Sequence, residues 1–159
     1  MRKVFLFHSH NKMYTTTIKF NIPKILEYIL NDLQELGARP ILVGGCVRDY
    51  FLNIPVKDYD VEIFGIDCFD TIENSLKKFG SVKLVGKSFG VLTLRVDNYD
   101  FDFALPRREK KVGNSHQDFE IITNANLSFK EAAMRRDFTI NAIGYDFFNK
   151  EFLDPFDGL

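Results

Sequence analysis

Tryptophan is absent and cysteine occurs only twice, at Cys46 and Cys68, in a chain of 159 residues. Two thiols so far apart match no zinc-ligand spacing and build no disulfide framework. That excludes the small cross-linked secreted class and fits a reducing cytosol, so a cytoplasmic location is expected. No apolar run approaches the roughly 20 residues a membrane helix needs, and no membrane partner is expected. The start, Met1 to Phe7, joins a basic end to an apolar stretch too short for a signal-peptide core, and residues 1–12 carry little functional information. The three histidines, His8, His10 and His116, show neither ligand nor triad spacing. An excess of charge of either sign is missing too. The net charge is −1, so no global basic signal marks a nucleic-acid binder, although a local patch stays compatible with it.

Phenylalanine, in contrast, is abundant, with 17 residues, some of them beside aliphatic neighbours in strand-like runs, and its excess reads as core filling. The chain length suits one domain with a sizeable core. Residues 1–22 read as an N-terminal extension and residues 23–159 as the domain. Pro23 opens a helix that ends near Gly37, with Ile25, Ile29, Leu33 and Leu36 at helical spacing. Pro40 to Val43 reads as a strand running into Gly44-Gly45, and Val47 to Leu52 as the next helix. Tyr59 to Phe64 alternates, with Asp60 and Glu62 on one face and Val61 and Ile63 on the other. Asp67 to Phe79 is expected to be helical, capped by Asp67. Val82–Val85, Val91–Val96 and Tyr99–Leu105 are expected strands, the last two joined by an Asp97-Asn98 turn. Pro106 to Asn126 is polar and basic, and a long loop is expected there. Ser128 and Glu131 form a capping box for a helix through Arg136, with helix resuming over Phe138–Ala142. Glu151–Leu153 closes the series as a strand. The sum is an α/β (α+β) domain with a small mixed sheet and flanking helices; a hairpin beside crossover helices argues against a Rossmann sheet.

Three segments carry chemistry. Gly44-Gly45-Cys46-Val47-Arg48-Asp49 places paired glycines between strand and helix, where backbone and helix N-terminus can approach an anion and Arg48 can reach it. Lys57-Asp58-Tyr59-Asp60 puts Asp58 and Asp60 on one strand face, where two carboxylates repel unless a cation sits between them. Oxygen donors of this kind suit Mg²⁺. Arg135-Arg136-Asp137-Phe138-Thr139-Ile140-Asn141-Ala142 offers adjacent guanidiniums to phosphate or ribose. Taken singly, these also describe a tight turn, a solvated strand edge and a charged helix face. Arg107, Arg108, Lys110 and Lys111 form a basic run that would guide RNA or simply be solvated. Cys46, although in the turn, has no partner that marks it as a nucleophile.

In this order and spacing the three segments resemble the head domain of the class II nucleotidyltransferases, the tRNA CCA-adding enzyme and bacterial poly(A) polymerase family. The resemblance runs from about Ile41 to the C-terminus. It implies a template-independent RNA nucleotidyltransferase adding CMP or AMP to a tRNA 3′ end by two-metal transfer, with ATP, CTP and tRNA or another RNA 3′ end as partners. It implies that Asp58 and Asp60 hold the Mg²⁺ ions and that Asp102 on a neighbouring strand is the third catalytic acid, with Asp100 sharing its face as the alternative. Gly44, Gly45 and Arg48 would bind the triphosphate, and Arg136 and Asp137 the nucleotide near its sugar. The family's head is followed by helical domains with a base-selecting Glu-Asp-x-x-Arg segment, which does not occur here, so C-terminal helical domains are expected to be absent. Poly(A) addition, a nucleotide-binding head inactive by itself, and transfer to small molecules or proteins remain as alternatives.

Overall fold

The computed structural model describes residues 5–6, 15–16, 20–85, 90–111 and 119–159. Two short strands, β1 (Phe5–Leu6) and β2 (Thr15–Thr16), pair antiparallel. Helix α1 (Lys24–Glu35) follows Pro23, whose missing N–H is no loss at a helix start. Its buried stripe is Leu26, Ile29, Leu30 and Leu33. Leu36, expected to belong to it, lies past the last turn and is exposed. Strand β3 (Arg39–Val43) runs into helix α2 (Gly45–Phe51), and strand β4 (Asp58–Phe64) follows. Helix α3 (Phe69–Leu76) starts later than the sequence suggested. Cys68, not Asp67, occupies the cap position, and no side chain there bonds the free N–H groups.

Strands β5 (Ser81–Val85), β6 (Val91–Val96) and β7 (Tyr99–Ala104) match expectation to within a residue or so. Asp97 adopts a φ of 51° in the β6–β7 turn, the left-handed value such turns demand. The expected Pro106–Asn126 loop is instead a hairpin of β8 (Arg107–Lys111) and β9 (Phe119–Thr123), antiparallel in register from Arg107–Thr123 to Lys111–Phe119. Pairing the basic β8 with β9 satisfies their backbone groups, and the pairing is not signalled by β8, whose residues Arg-Arg-Glu-Lys-Lys carry no hydrophobic alternation. Residues 112–118 of that expected loop lie outside the described residues. Helix α4 (Phe129–Ala133) carries the capping box in full: the Glu131 N–H donates to Ser128 Oγ and the Ser128 N–H to Glu131 Oε2. It stops before Arg135, and the resumption is a single 3-10 turn, Thr139–Ala142. Strands β10 (Gly144–Asp146), which hydrophobic patterning did not mark, and β11 (Glu151–Leu153) complete the fold.

Seven strands form one sheet in the order β11–β10–β3–β4–β7–β6–β5. Every neighbour pair is antiparallel except β4 with β7, which is parallel. One face packs the main core: Leu42, Tyr59, Val61, Ile63, Leu92, Leu94, Phe101, Phe103 and Tyr145 meet the apolar stripes of α1, α2 and α3. Phe20 joins this core, 5% exposed and edge-on to Tyr50, so the packed unit reaches at least that far toward the N-terminus. On the opposite face, Ile41, Val43 and Phe64 meet Ala132 and Phe129 of α4. Gly144 makes that docking possible. A Cβ there would stand 2.5 Å from the Phe129 ring.

Candidate functional site

Alternation along β4 puts Asp58, Asp60 and Glu62 on the α4 side of the sheet, away from the main core. The parallel pairing with β7 sets Asp60 directly opposite Asp102, and Asp58 opposite Asp100. The next strand sets Thr93 opposite Asp102, and its hydroxyl donates to Asp102 Oδ1 at 2.5 Å. Asp100 is turned to a different partner. Arg95 grips it with two bonds of 2.8 and 2.9 Å, and this guanidinium holds its carboxyl below the usual carboxylate range. Of the two candidate third acids, Asp102 is therefore the one that faces Asp60.

Asp60 is the electrostatic centre. Its outer side is open to solvent while protein atoms crowd its inner side. That desolvation first, then the charge of Asp102, raises its carboxyl above the usual range; Arg136 opposes the shift, and Asp58 and Glu62 add to it. Among the described residues no group of three His, Cys, Asp or Glu side chains could hold a metal ion by itself. The protein's donors are thus a carboxylate pair with surplus negative charge. That set fits a hard divalent cation that completes its shell with water and substrate phosphate.

The diglycine turn closes on the same point. Gly44 has a φ of 69° and lies before the first turn of α2. A Cβ on Gly44 would stand 3.2 Å from both Asp60 Oδ2 and Arg136 Nη1, so this backbone sits between the acid and the guanidinium. A Cβ on Gly45 would stand 3.5 Å from Arg48 Nη2. Arg48 is held by Asp49, with Nε and Nη2 at 2.8 and 2.7 Å from Oδ1, and its Nη1 reaches Asn141 Oδ1 at 3.5 Å. Arg136 and Arg135 both donate to Glu62 Oε1, at 2.9 and 2.8 Å. Asp137 is exposed after α4 and makes no hydrogen bond or ion pair with the other site residues described. Cys46 lies under the turn with its thiol donating to the Val43 carbonyl at 3.1 Å. Burial pushes that thiol up to about 12, so it is no nucleophile.

The structure thus gathers Gly44, Gly45, Arg48, Asp58, Asp60, Asp102 and Arg136 around one end of β4 and leaves Asp137 in solvent. Sequence reasoning assigned no role to Glu62, Asn141 or Thr93. Glu62 was on the right face by alternation, and Asn141 stood inside a quoted segment. Thr93 had no signal, since only the β6–β7 register reveals it.

A family model described as the poly A polymerase head domain matches residues 41–159. The CCA-adding enzyme of Buchnera aphidicola subsp. Schizaphis graminum is 40% identical over 117 residues, covering 74% of this chain and 26% of that protein. The multifunctional CCA protein of Pseudoalteromonas atlantica is 36% identical over 117 residues, covering 74% and 27%. A solved CCA-adding enzyme, apo form II, is similar with a TM-score of 0.68 at 28% identity, covering 87% of this chain and 33% of that one. A tRNA nucleotidyltransferase complexed with a primer tRNA and an incoming ATP analog gives 0.61 at 28% identity, covering 82% and 35%. The chain spans about a quarter of the length of these curated relatives.

Proposed function

Because the chain belongs to the poly A polymerase head domain family, we propose that it transfers a nucleotide from a nucleoside triphosphate to an RNA 3′-hydroxyl, as the addition of CMP and AMP to tRNA ends. One observation carries this reading: the Asp60 carboxylate and the Arg136 guanidinium flank the Gly44 turn, both 3.2 Å from where a Cβ would be. An acid, a cation and an unobstructed backbone at one point suit a triphosphate with its counter-ion.

Asp58 and Asp60 would hold Mg²⁺, with Asp102 as the third acid beside them. When bound, one or two such ions supply positive charge to the α-phosphate and the leaving pyrophosphate and favour ionisation of the 3′-hydroxyl. The RNA oxygen forms its bond to the α-phosphorus as the α–β bridging bond breaks, and pyrophosphate leaves with the electron pair. Gly44 and Gly45 leave space for the triphosphate against the backbone. Arg48, braced by Asp49 and Asn141, and Arg136 place their guanidiniums beside it. Asp137 is exposed and available to a nucleotide sugar. No covalent enzyme intermediate is required.

The test uses the full-length protein with tRNA lacking its CCA end, Mg²⁺ and each labelled triphosphate separately. CTP followed by ATP incorporation is expected, and Asp58→Ala or Asp60→Ala should abolish it. Undiminished transfer by either variant would end the reading. Extension of many RNAs by ATP alone would assign poly(A) synthesis instead. Nucleotide binding without extension would assign a nucleotide-binding head module instead.

A further inference from the structure

Glu62 stands two residues beyond Asp60 on the same face of β4, at 2% exposure. Its neighbours across the sheet are Ile41 on β3 and Ala104 on β7. An aliphatic side chain would suit that position, and a buried carboxylate there is costly unless paired. Its pairing is lopsided. Oε1 accepts from both Arg135 Nη2 and Arg136 Nη2, while Oε2 is buried with no hydrogen-bond partner among the described residues.

The guanidinium of Arg136 is planar and rigid, so a partner that fixes one nitrogen also aims the other. Nη2 is tied to Glu62, and Nη1 then points at the Gly44 turn. Asp60 flanks the same point, yet Arg136 forms its ion pair with Glu62 and none with Asp60. Without the Glu62 carboxylate as its partner, Arg136 would be free to close on Asp60, satisfying the acid meant for a cation and withdrawing the guanidinium from the turn.

We propose that Glu62 is a positioning residue: it holds the Arg136 guanidinium at the diglycine turn to meet the triphosphate and keeps it from closing on Asp60. This rests on the nucleotidyl-transfer reading above. The acid is buried and bonds both guanidiniums through one oxygen, and its role at the turn runs through Arg136 rather than through contact with substrate.

The test compares Glu62→Gln with the unmodified full-length protein for equilibrium binding of ATP and CTP with Mg²⁺, and for KM and kcat in transfer. Glutamine keeps the shape and one acceptor oxygen but removes the charge. Dissociation constant and KM should rise roughly 10- to 100-fold, the scale of one charge-assisted hydrogen bond, with a smaller change in kcat. Glu62→Asp, which restores charge with shorter reach, should recover part of the affinity. A purely structural role would lower the melting temperature without changing affinity in the folded fraction, and that result overturns the proposal. Should Glu62→Gln not fold, Glu62→Gln with Arg135→Gln removes a buried cation together with the anion and carries the same comparison against Arg135→Gln alone. If the unmodified protein binds no triphosphate, the transfer reading itself falls and this inference with it. If it binds and Glu62→Gln binds as tightly, only the inference falls.

Discussion

Tyr59, Val61 and Ile63 face the helices, whereas Asp58, Asp60 and Glu62, from the same strand, face the other way. The first set lies in a core where Phe101, Phe103, Leu92 and Leu94 are fully buried. The second set collects like charges beside Asp102, and they add to the desolvation that raises the Asp60 carboxyl. One strand thus serves packing and chemistry at once because its side chains alternate. The packed face stabilises the fold, and the crowded acidic face opposes it.

Asp60→Ala offers the sharpest way to break this contrast. Transfer should fall by at least about 10³-fold, about 4 kcal/mol in barrier, measured by labelled nucleotide incorporation. Its unfolding midpoint at neutral pH should not fall. The sign follows from the raised carboxyl: its favourable linkage is present below the unfolded-state pKa and is lost as pH rises through the raised folded value. Urea titrations across that window should show the unmodified chain losing stability relative to Asp60→Asn as pH climbs. A neutral-pH midpoint well below that of the unmodified chain in Asp60→Ala would mean that the acidic face also supports the fold.

Phe103→Ala probes the packed face. Phe103 is fully buried, and its loss should cost about 3–5 kcal/mol in denaturant unfolding. Nucleotide affinity of the folded fraction should stay within error; a specific loss of affinity would show that the faces are coupled. Gly44→Ala tests the boundary between them. With a φ of 69° and a Cβ 3.2 Å from Asp60 and Arg136, alanine should cost about 1–3 kcal/mol of stability and weaken triphosphate binding as well. Arg95→Ala should do least, since its pair with Asp100 lies in solvent. Neither melting temperature nor transfer rate should move measurably, and a loss of transfer would bring Asp100 into the site.

Much of this contrast was legible in the sequence, because alternation is local. The Asp58–Asp60 pair, the Val61–Ile63 run and the Ser128–Glu131 capping box each lie within a few residues. Alternation did not separate Asp102 from Asp100, since both share a face, and the choice of Asp102 came from the family resemblance. In the structure the register of β4 against β7 sets Asp102 opposite Asp60, and the Arg95 bond holds Asp100. Glu62 escaped for a related reason: its partners Arg135 and Arg136 lie more than seventy residues downstream. The β8–β9 hairpin was read as a loop because the basic run of β8 dominated that stretch, although Phe119, Ile121 and Ile122 of β9 offered a strand signal that was passed over.

Gly144 extends the reach of the site beyond the residues that would meet substrate. The Phe129 ring rests where a side chain at 144 would have to go, and α4 leads straight on to Arg135 and Arg136. Even a methyl group there would act as a wedge, prising the helix off the sheet and carrying both guanidiniums out of alignment. A lesion on β10, a strand removed from the one that carries Asp58 and Asp60, would in this way disturb the proposed site by leverage alone.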